Sequence, residues 1–306
     1  MSRVRETASG REGQTFGGES LLARYASLVK LPHTLFALPF ALVGVTIASY
    51  VNNVRASQLL WVVVAFTAAR FAAMAFNRII DRHIDALNPR TAAREIPAGR
   101  ISLAQARIAV VIAGAVFLLS AQQLNPLCLA LAPLALAWVL SYSYTKRFTR
   151  WSHVALGVGL GIAPVGGYLA VTGAWSTPWW VLPVLAIAVT SWVAGFDIFY
   201  ALQDVGFDRA QGLHSVPAAM GARGAIAVAR ALHLLSVAAL AAVGLGIGAG
   251  LVYALGVATV ALLLLYEHSL VRPADLSRLD AAFFTMNGVI SVAFFAFVLA
   301  ERLLAR

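Results

Sequence analysis

The sequence predicts an all-α membrane protein of about nine transmembrane helices around a central cavity, with its N-terminus on the cytoplasmic side. Three observations predict this class. Apolar residues make up 60% of the 306 and charged residues only 12%, whereas a soluble domain carries roughly 25% charge. Mean hydropathy is +0.81. The apolar residues also gather in runs of about 20, the length a helix needs to cross a bilayer core. Too few charges remain to solvate a globular surface, which excludes a soluble enzyme, a disordered chain and a coiled coil. A net charge of +10 would suggest nucleic acid for a soluble protein. In a membrane protein it reflects basic inner loops, so no nucleic-acid partner is expected.

The elements follow in chain order. Residues 1–24 begin polar and Gly/Ser-rich, without the apolar stretch of a signal peptide, and are expected to form a flexible cytoplasmic tail. Residues 25–306 then carry spans expected near 33–51, 58–80, 103–121, 126–145, 153–172, 179–199, 225–247, 250–268 and 280–300. Only a glycine-rich turn, Gly246–Gly250, separates the seventh and eighth. With the N-terminus inside, nineteen of the 23 Lys and Arg fall on the inner side. Arg55, Arg302 and Arg306 fall outside, and Arg70 lies within a span. This asymmetry fixes the orientation. The inner segments 81–102 and 200–224 are long and charged, and long loops tend to be functional. A site facing the cytoplasm is therefore expected. Cys128, the single cysteine, reads as a small buried hydrophobe.

Acidic residues number only 13, so their positions are informative. Glu267, Asp275, Asp280 and Glu301 sit near helix ends and read as solvated caps. Six others form two clusters at the inner ends of the second and sixth spans. Asn77, Asp81 and Asp85 recur every fourth residue and so share one side of a helix. Asp197, Asp204 and Asp208 share a face if the helix continues that far. Carboxylates one turn apart repel each other and are costly near a membrane, so two such clusters invite a cation. Oxygen-only, incomplete ligand sets suit Mg²⁺, which commonly shares its coordination with substrate phosphates. The separation of the clusters suggests two related halves, spans one to four and five to eight, plus a ninth span.

Basic residues follow the aspartates: Arg90 and Arg94, then Lys146 and Arg147 at the end of the fourth span. Beside Mg²⁺ such groups hold a diphosphate and stabilise its leaving charge; each alone would serve as a positive-inside anchor. Arg70 lies seven residues before Asn77, on the same face. It is either a structural partner of an aspartate or a binder of an anionic group deeper in the cavity.

These strings resemble the UbiA superfamily of intramembrane prenyltransferases over roughly residues 25–300. The resemblance is carried by Asn77/Asp81/Asp85, by Arg90-Thr91-Ala92-Ala93-Arg94-Glu95-Ile96-Pro97-Ala98-Gly99, by Tyr142-Ser143-Tyr144-Thr145-Lys146, and by Asp204/Asp208 followed by Gly212-Leu213-His214-Ser215. It implies that Asn77, Asp81, Asp85, Asp204 and Asp208 hold Mg²⁺ on a polyprenyl diphosphate. Lys146 joins the aspartates in catalysis. Arg70, Arg90, Arg94, Tyr142, Asp197 and Tyr200 would contact substrate with Asn77, and Arg90, Arg94 and Lys146 would neutralise the departing diphosphate. An Arg at the place of Arg70 is associated with acceptors carrying a ring carboxylate, which favours 4-hydroxybenzoate or 1,4-dihydroxy-6-naphthoate, in ubiquinone or menaquinone biosynthesis.

The chain departs from the common 4-hydroxybenzoate pattern at Arg78, at Glu95 to Gly99 and at His214. A bacterial inner membrane is the implied location. The competing class is a transporter, which would place ionisable residues near the midplane; here they gather at one face. A CDP-alcohol phosphotransferase would carry D-G-x-x-A-R, which does not occur.

Overall fold

The computed structural model describes residues 20–273, 276, 279 and 285–304, and within the first span the side chains from Ala37 onward. Asp275, Arg278, Asp280, Arg306 and residues 1–19 lie outside the described residues. Every described element is a helix: α1 (Leu21–Leu28), α2 (Leu31–Ala48), α3 (Ala56–Leu87), α4 (Leu103–Leu124), α5 (Pro126–Ser141), α6 (Ser152–Thr172), α7 (Val181–Ala201), α8 (Val205–Ala210), α9 (Val216–Gly246), α10 (Leu251–Leu270) and α11 (Asn287–Leu304). Short 3-10 helices, Tyr142–Arg147 and Leu202–Asp204, follow α5 and α7. Among the described residues, eight helices are long and apolar enough to cross a membrane, and Ala37–Ala48 of α2 adds a shorter apolar stretch.

Among the described residues the eight long apolar helices and the shorter α2 stretch fall in the nine expected spans, and several run beyond them. α3 runs on to Leu87, carrying its aspartates one turn beyond the apolar run. α9 starts at Val216, where the Ser215 hydroxyl accepts from the Ala218 N–H and Pro217 occupies the first turn. Ser at the cap and Pro just inside are strong helix starters. Much of the expected 200–224 loop is therefore helical.

The helices pack as a ring: α3 on α4, α5 on α6, α6 on α7, α7 on α9, α10 on α11, and α2 on both α6 and α11. In lipid, close packing by small residues replaces the hydrophobic drive. The α2–α6 contact shows it, because a Cβ on Gly44 would strike the Pro164 carbonyl and one on Gly167 the Ala41 carbonyl. The shared core includes Phe40, whose ring lies 4.7 Å from that of Trp192 and 6.4 Å from that of Phe294.

Three differences from the sequence expectation stand out. The tail does not extend to residue 24, because Leu21–Leu28 is a helix docked on the segment between α3 and α4. Ser27 Oγ donates to Glu95 Oε1 at 2.6 Å, Arg24 donates to the Arg100 carbonyl at 3.2 Å, and Leu28 and Val29 pack with Ala75, Ile79 and Ile101. Glu301 is no solvated cap of its own helix. It is buried and caps the N-terminus of α10, accepting from the Gly250 N–H at 2.6 Å and the Tyr253 N–H at 3.1 Å. Glu267 is fully buried in α10, with neither carboxyl oxygen hydrogen-bonded.

Candidate active site

The helix repeat places Asn77, Asp81 and Asp85 in a line on α3, and the Asn77 amide donates to Asp81 Oδ2 at 3.1 Å. Asp81 is 2% exposed, a position untenable for a lone charge. Lys146 Nζ meets its Oδ2 at 2.6 Å and Arg147 its Oδ1 at 3.1 Å. The 3-10 helix after α5 positions both bases, and the Arg147 guanidinium also donates to the Ile80 carbonyl. One turn on, Asp85 receives Arg94 at 2.7 Å, while its backbone carbonyl accepts from the Thr91 hydroxyl.

The second cluster does not lie on one continuous helix. α7 ends at Ala201, and the 3-10 turn carries Asp204 before α8 presents Asp208. The turn after α3 reaches across to it. Arg90 grips Asp204 through Nε at 3.0 Å and Nη2 at 2.5 Å, donates from Nη1 to the Tyr200 hydroxyl at 2.8 Å, and stacks over that ring. Asn88 adds a hydrogen bond to Asp204 at 2.9 Å. Asp208 accepts from the Ser215 hydroxyl at 2.8 Å, and the His214 N–H donates to the Lys146 carbonyl.

All twelve residues expected in the site line one polar cavity of about 320 Å³: Arg70, Asn77, Asp81, Asp85, Arg90, Arg94, Tyr142, Lys146, Asp197, Tyr200, Asp204 and Asp208. A second, apolar cavity of about 830 Å³ lies among α3 to α7. Arg70 and Tyr142 line both. Arg70 therefore stands at the junction, deeper than the aspartates.

Sequence reasoning missed Asn88, Lys30 and His153 in this cavity. Lys30, between α1 and α2, adopts a left-handed backbone with φ 46, uncommon for a non-glycine residue. Asn88 carried a readable signal, an Asn-Pro turn directly after the aspartate helix. His153 pairs with Asp197 at 2.7 Å across α6 and α7, a contact that no local spacing discloses.

Among the described residues, no three His, Cys, Asp or Glu side chains are gathered as a metal-binding group. The five expected ligands line one cavity without forming a single shell, since Lys and Arg side chains hold Asp81, Asp85 and Asp204. Asp85 Oδ2 is nevertheless buried without a hydrogen-bond partner, and the donors are all oxygen. These residues fit a Mg²⁺ ion that takes only one or two carboxylates and completes its coordination with phosphate and water.

A bundle of apolar helices in which an ion-paired polar cavity meets a large apolar one is the architecture of a membrane-embedded prenyltransferase. The chain belongs to the UbiA prenyltransferase family, whose profile matches residues 37–295. A 4-hydroxybenzoate octaprenyltransferase from Xanthomonas campestris pv. campestris is 32% identical over 234 residues, covering 75% of this chain and 76% of the relative. One from Nitrosospira multiformis is 29% identical over 245 residues, covering 80% and 83%. A UbiA homolog from Aeropyrum pernix K1, solved in its apo form, superposes with a TM-score of 0.80 at 34% identity, covering 88% of this chain and 98% of that one. A UbiA homolog from Archaeoglobus fulgidus bound to DMAPP and Mg²⁺ shares the fold, with a TM-score of 0.70 at 21% identity over 91% of this chain and 98% of that one.

Proposed function

We propose that this enzyme transfers a polyprenyl group from a polyprenyl diphosphate, with Mg²⁺, to the ring of a hydroxyaromatic carboxylate of the 4-hydroxybenzoate type. The observation that carries this reading is the junction at Arg70. On one side lies a cavity of alternating carboxylates and bases, suited to a diphosphate; on the other lies an apolar cavity suited to an isoprenoid. The guanidinium between them is placed to hold an acceptor's carboxylate.

The ion pairs give the polar cavity its chemistry. Asp81, Asp85 and Asp204 are held by Lys146, Arg147, Arg94 and Arg90. A ligand bringing both anionic oxygens and a divalent cation lets each side exchange partners without leaving a buried charge bare. Arg90, Arg94 and Lys146 would then serve the phosphate oxygens, and Asn77, Asp81, Asp85, Asp204 and Asp208 would hold the metal. Bound Mg²⁺ would contribute Lewis-acid stabilisation of the diphosphate charge. The bases stabilise the same charge as the allylic C–O bond breaks, and the apolar walls exclude water from the resulting cation. The solved homologs with DMAPP or GPP and Mg²⁺ support the donor and metal; the names of the curated relatives support the acceptor.

The same reading places residues 25–306 as one catalytic domain of two related halves in a bacterial inner membrane, with its N-terminus and active site on the cytoplasmic side. The alternative acceptor is 1,4-dihydroxy-6-naphthoate, which offers Arg70 the same carboxylate, so Arg70 does not separate the two. Membranes carrying the enzyme, supplied with Mg²⁺, a polyprenyl diphosphate and each acceptor in turn, decide between them by the prenylated product formed. Absence of product from both would refute the acceptor class.

A further inference from the structure

Prenylation of an aromatic ring ends with loss of a ring proton, and among the described residues two cavity carboxylates stand outside the Lys and Arg pairs: Asp208, which accepts from the Ser215 hydroxyl beside the expected metal ligands, and Asp197. Asp197 projects from α7 into the polar cavity, with its side chain 24% exposed. Its Oδ2 lies 2.7 Å from Nδ1 of His153, which is buried at the start of α6. The Val216 backbone N–H, which can only donate, approaches His153 Nε2 at 3.4 Å. That contact makes Nε2 the acceptor nitrogen and leaves Nδ1–H to donate to Asp197.

This differs in kind from Asp81, Asp85 and Asp204. Each of those carboxylates is engaged by a Lys or Arg side chain. Asp197 is oriented by an imidazole N–H, and among the described residues this is the hydrogen bond it receives, leaving Oδ1 for the cavity. Its position suits the acceptor ring. Tyr142, at the mouth of the apolar cavity, lies within electrostatic reach of Arg70, Asp81 and Asp197 together. Arg70 and Asp197 line the same polar cavity, Arg70 at its junction with the apolar one.

We propose, resting on the function above, that Asp197 is the proton acceptor of the transfer and His153 its positioning residue. The allylic C–O bond breaks and its electron pair leaves with the diphosphate. A π pair of the ring forms the new C–C bond ortho to the hydroxyl. The hydrogen on that carbon passes as a proton to Asp197 Oδ1, and the C–H pair restores the aromatic ring. Water then takes the proton from the cavity.

The test uses the full-length enzyme in nanodiscs with Mg²⁺, geranyl diphosphate and 4-hydroxybenzoate or 1,4-dihydroxy-6-naphthoate, each with and without deuterium at the ring positions ortho to hydroxyl. Diphosphate release and prenylated product are measured separately. For Asp197→Asn, product formation should fall by about 100-fold or more while diphosphate release falls far less, and a primary ring-deuterium effect absent from the native enzyme should appear. Asp197→Glu should recover part of the loss. His153→Leu should show the same isotope effect with a smaller loss, and His153→Gln, which restores an N–H donor, should reverse it. Native product formation from Asp197→Asn, or equal falls in product and diphosphate release without an isotope effect in both Asp197→Asn and His153→Leu, would overturn the assignment. Failure of the native enzyme to prenylate either acceptor would instead count against the function on which it rests.

Discussion

Asp204 and Arg90 bury their charges against each other and carry the proposed binding role as well. Their side chains are 18% and 11% exposed and joined by two hydrogen bonds. Removing one partner of such a pair strands the other charge, at a cost of about 3 kcal/mol. Asp204→Ala should therefore lower the melting temperature as well as abolish prenyl transfer. The double variant Asp204→Leu/Arg90→Leu should recover most of the stability, since apolar replacement of a buried pair is often neutral, and none of the activity. Thermal melts in detergent beside a product assay separate the two effects; activity returning with stability would reduce the pair to a structural role. Arg70→Ala makes the complementary case. Acceptor binding should weaken by tenfold or more, the order of one charge-assisted bond, with donor affinity little changed, as titrations with each ligand would show. Equal losses would remove the carboxylate from Arg70. Local spacing made Asn77, Asp81 and Asp85 legible, because one helix repeat aligns them. It could not pair Arg90 with Asp204 or His153 with Asp197, since those contacts arise where separate helices meet.

At the scale of elements, apolar runs located the nine spans because bilayer thickness fixes their length. They could not locate the helix ends, since a helix does not stop at the membrane surface. α3 continues through its aspartates, and α9 opens at a Ser-Val-Pro signal with a short turn that kinks at Gly221 (φ 69) before the expected span. α1 was hidden for another reason: eight residues are too short for an isolated helix, and this one is fixed by Glu95 and Ile101 from the loop it covers. Glu301 is likewise intelligible only across elements. α10 begins at Gly250 with no side-chain cap of its own, and α11 supplies one. Glu301→Ala frees two N–H groups and should destabilise the protein by about 1 to 2 kcal/mol. Glu301→Gln, which keeps an acceptor, should cost less. Melting temperatures measure both, and KM for either substrate should stay unchanged because the cap lies outside the cavity lining. A KM shift without a stability loss would show that α10 communicates with the site.

For the whole molecule, function depends on two cavities staying open within a tightly packed ring of helices, and α6 carries both demands on adjacent residues. Gly167 faces α2, where an added Cβ meets the Ala41 carbonyl. Backbone cannot swing aside as a side chain can, so Gly167→Ala should force α2 and α6 apart and reduce the yield of folded protein. Gly166 lines the apolar cavity, and a Cβ there meets nothing within 4 Å. Gly166→Phe should fold, because the ring enters existing space and the substitution removes a flexible residue from a helix interior. It should also shorten the room for an isoprenoid. Transfer from an octaprenyl donor should then fall about tenfold or more relative to a dimethylallyl donor, a discrimination within reach of apolar pocket shape, while acceptor KM with the short donor is unchanged. Competition between the two donors, read by product mass, measures the ratio directly. An unaltered ratio in a well-folded Gly166→Phe protein would mean that the tail leaves the polar cavity by another route, and the apolar cavity would lose its place in donor binding.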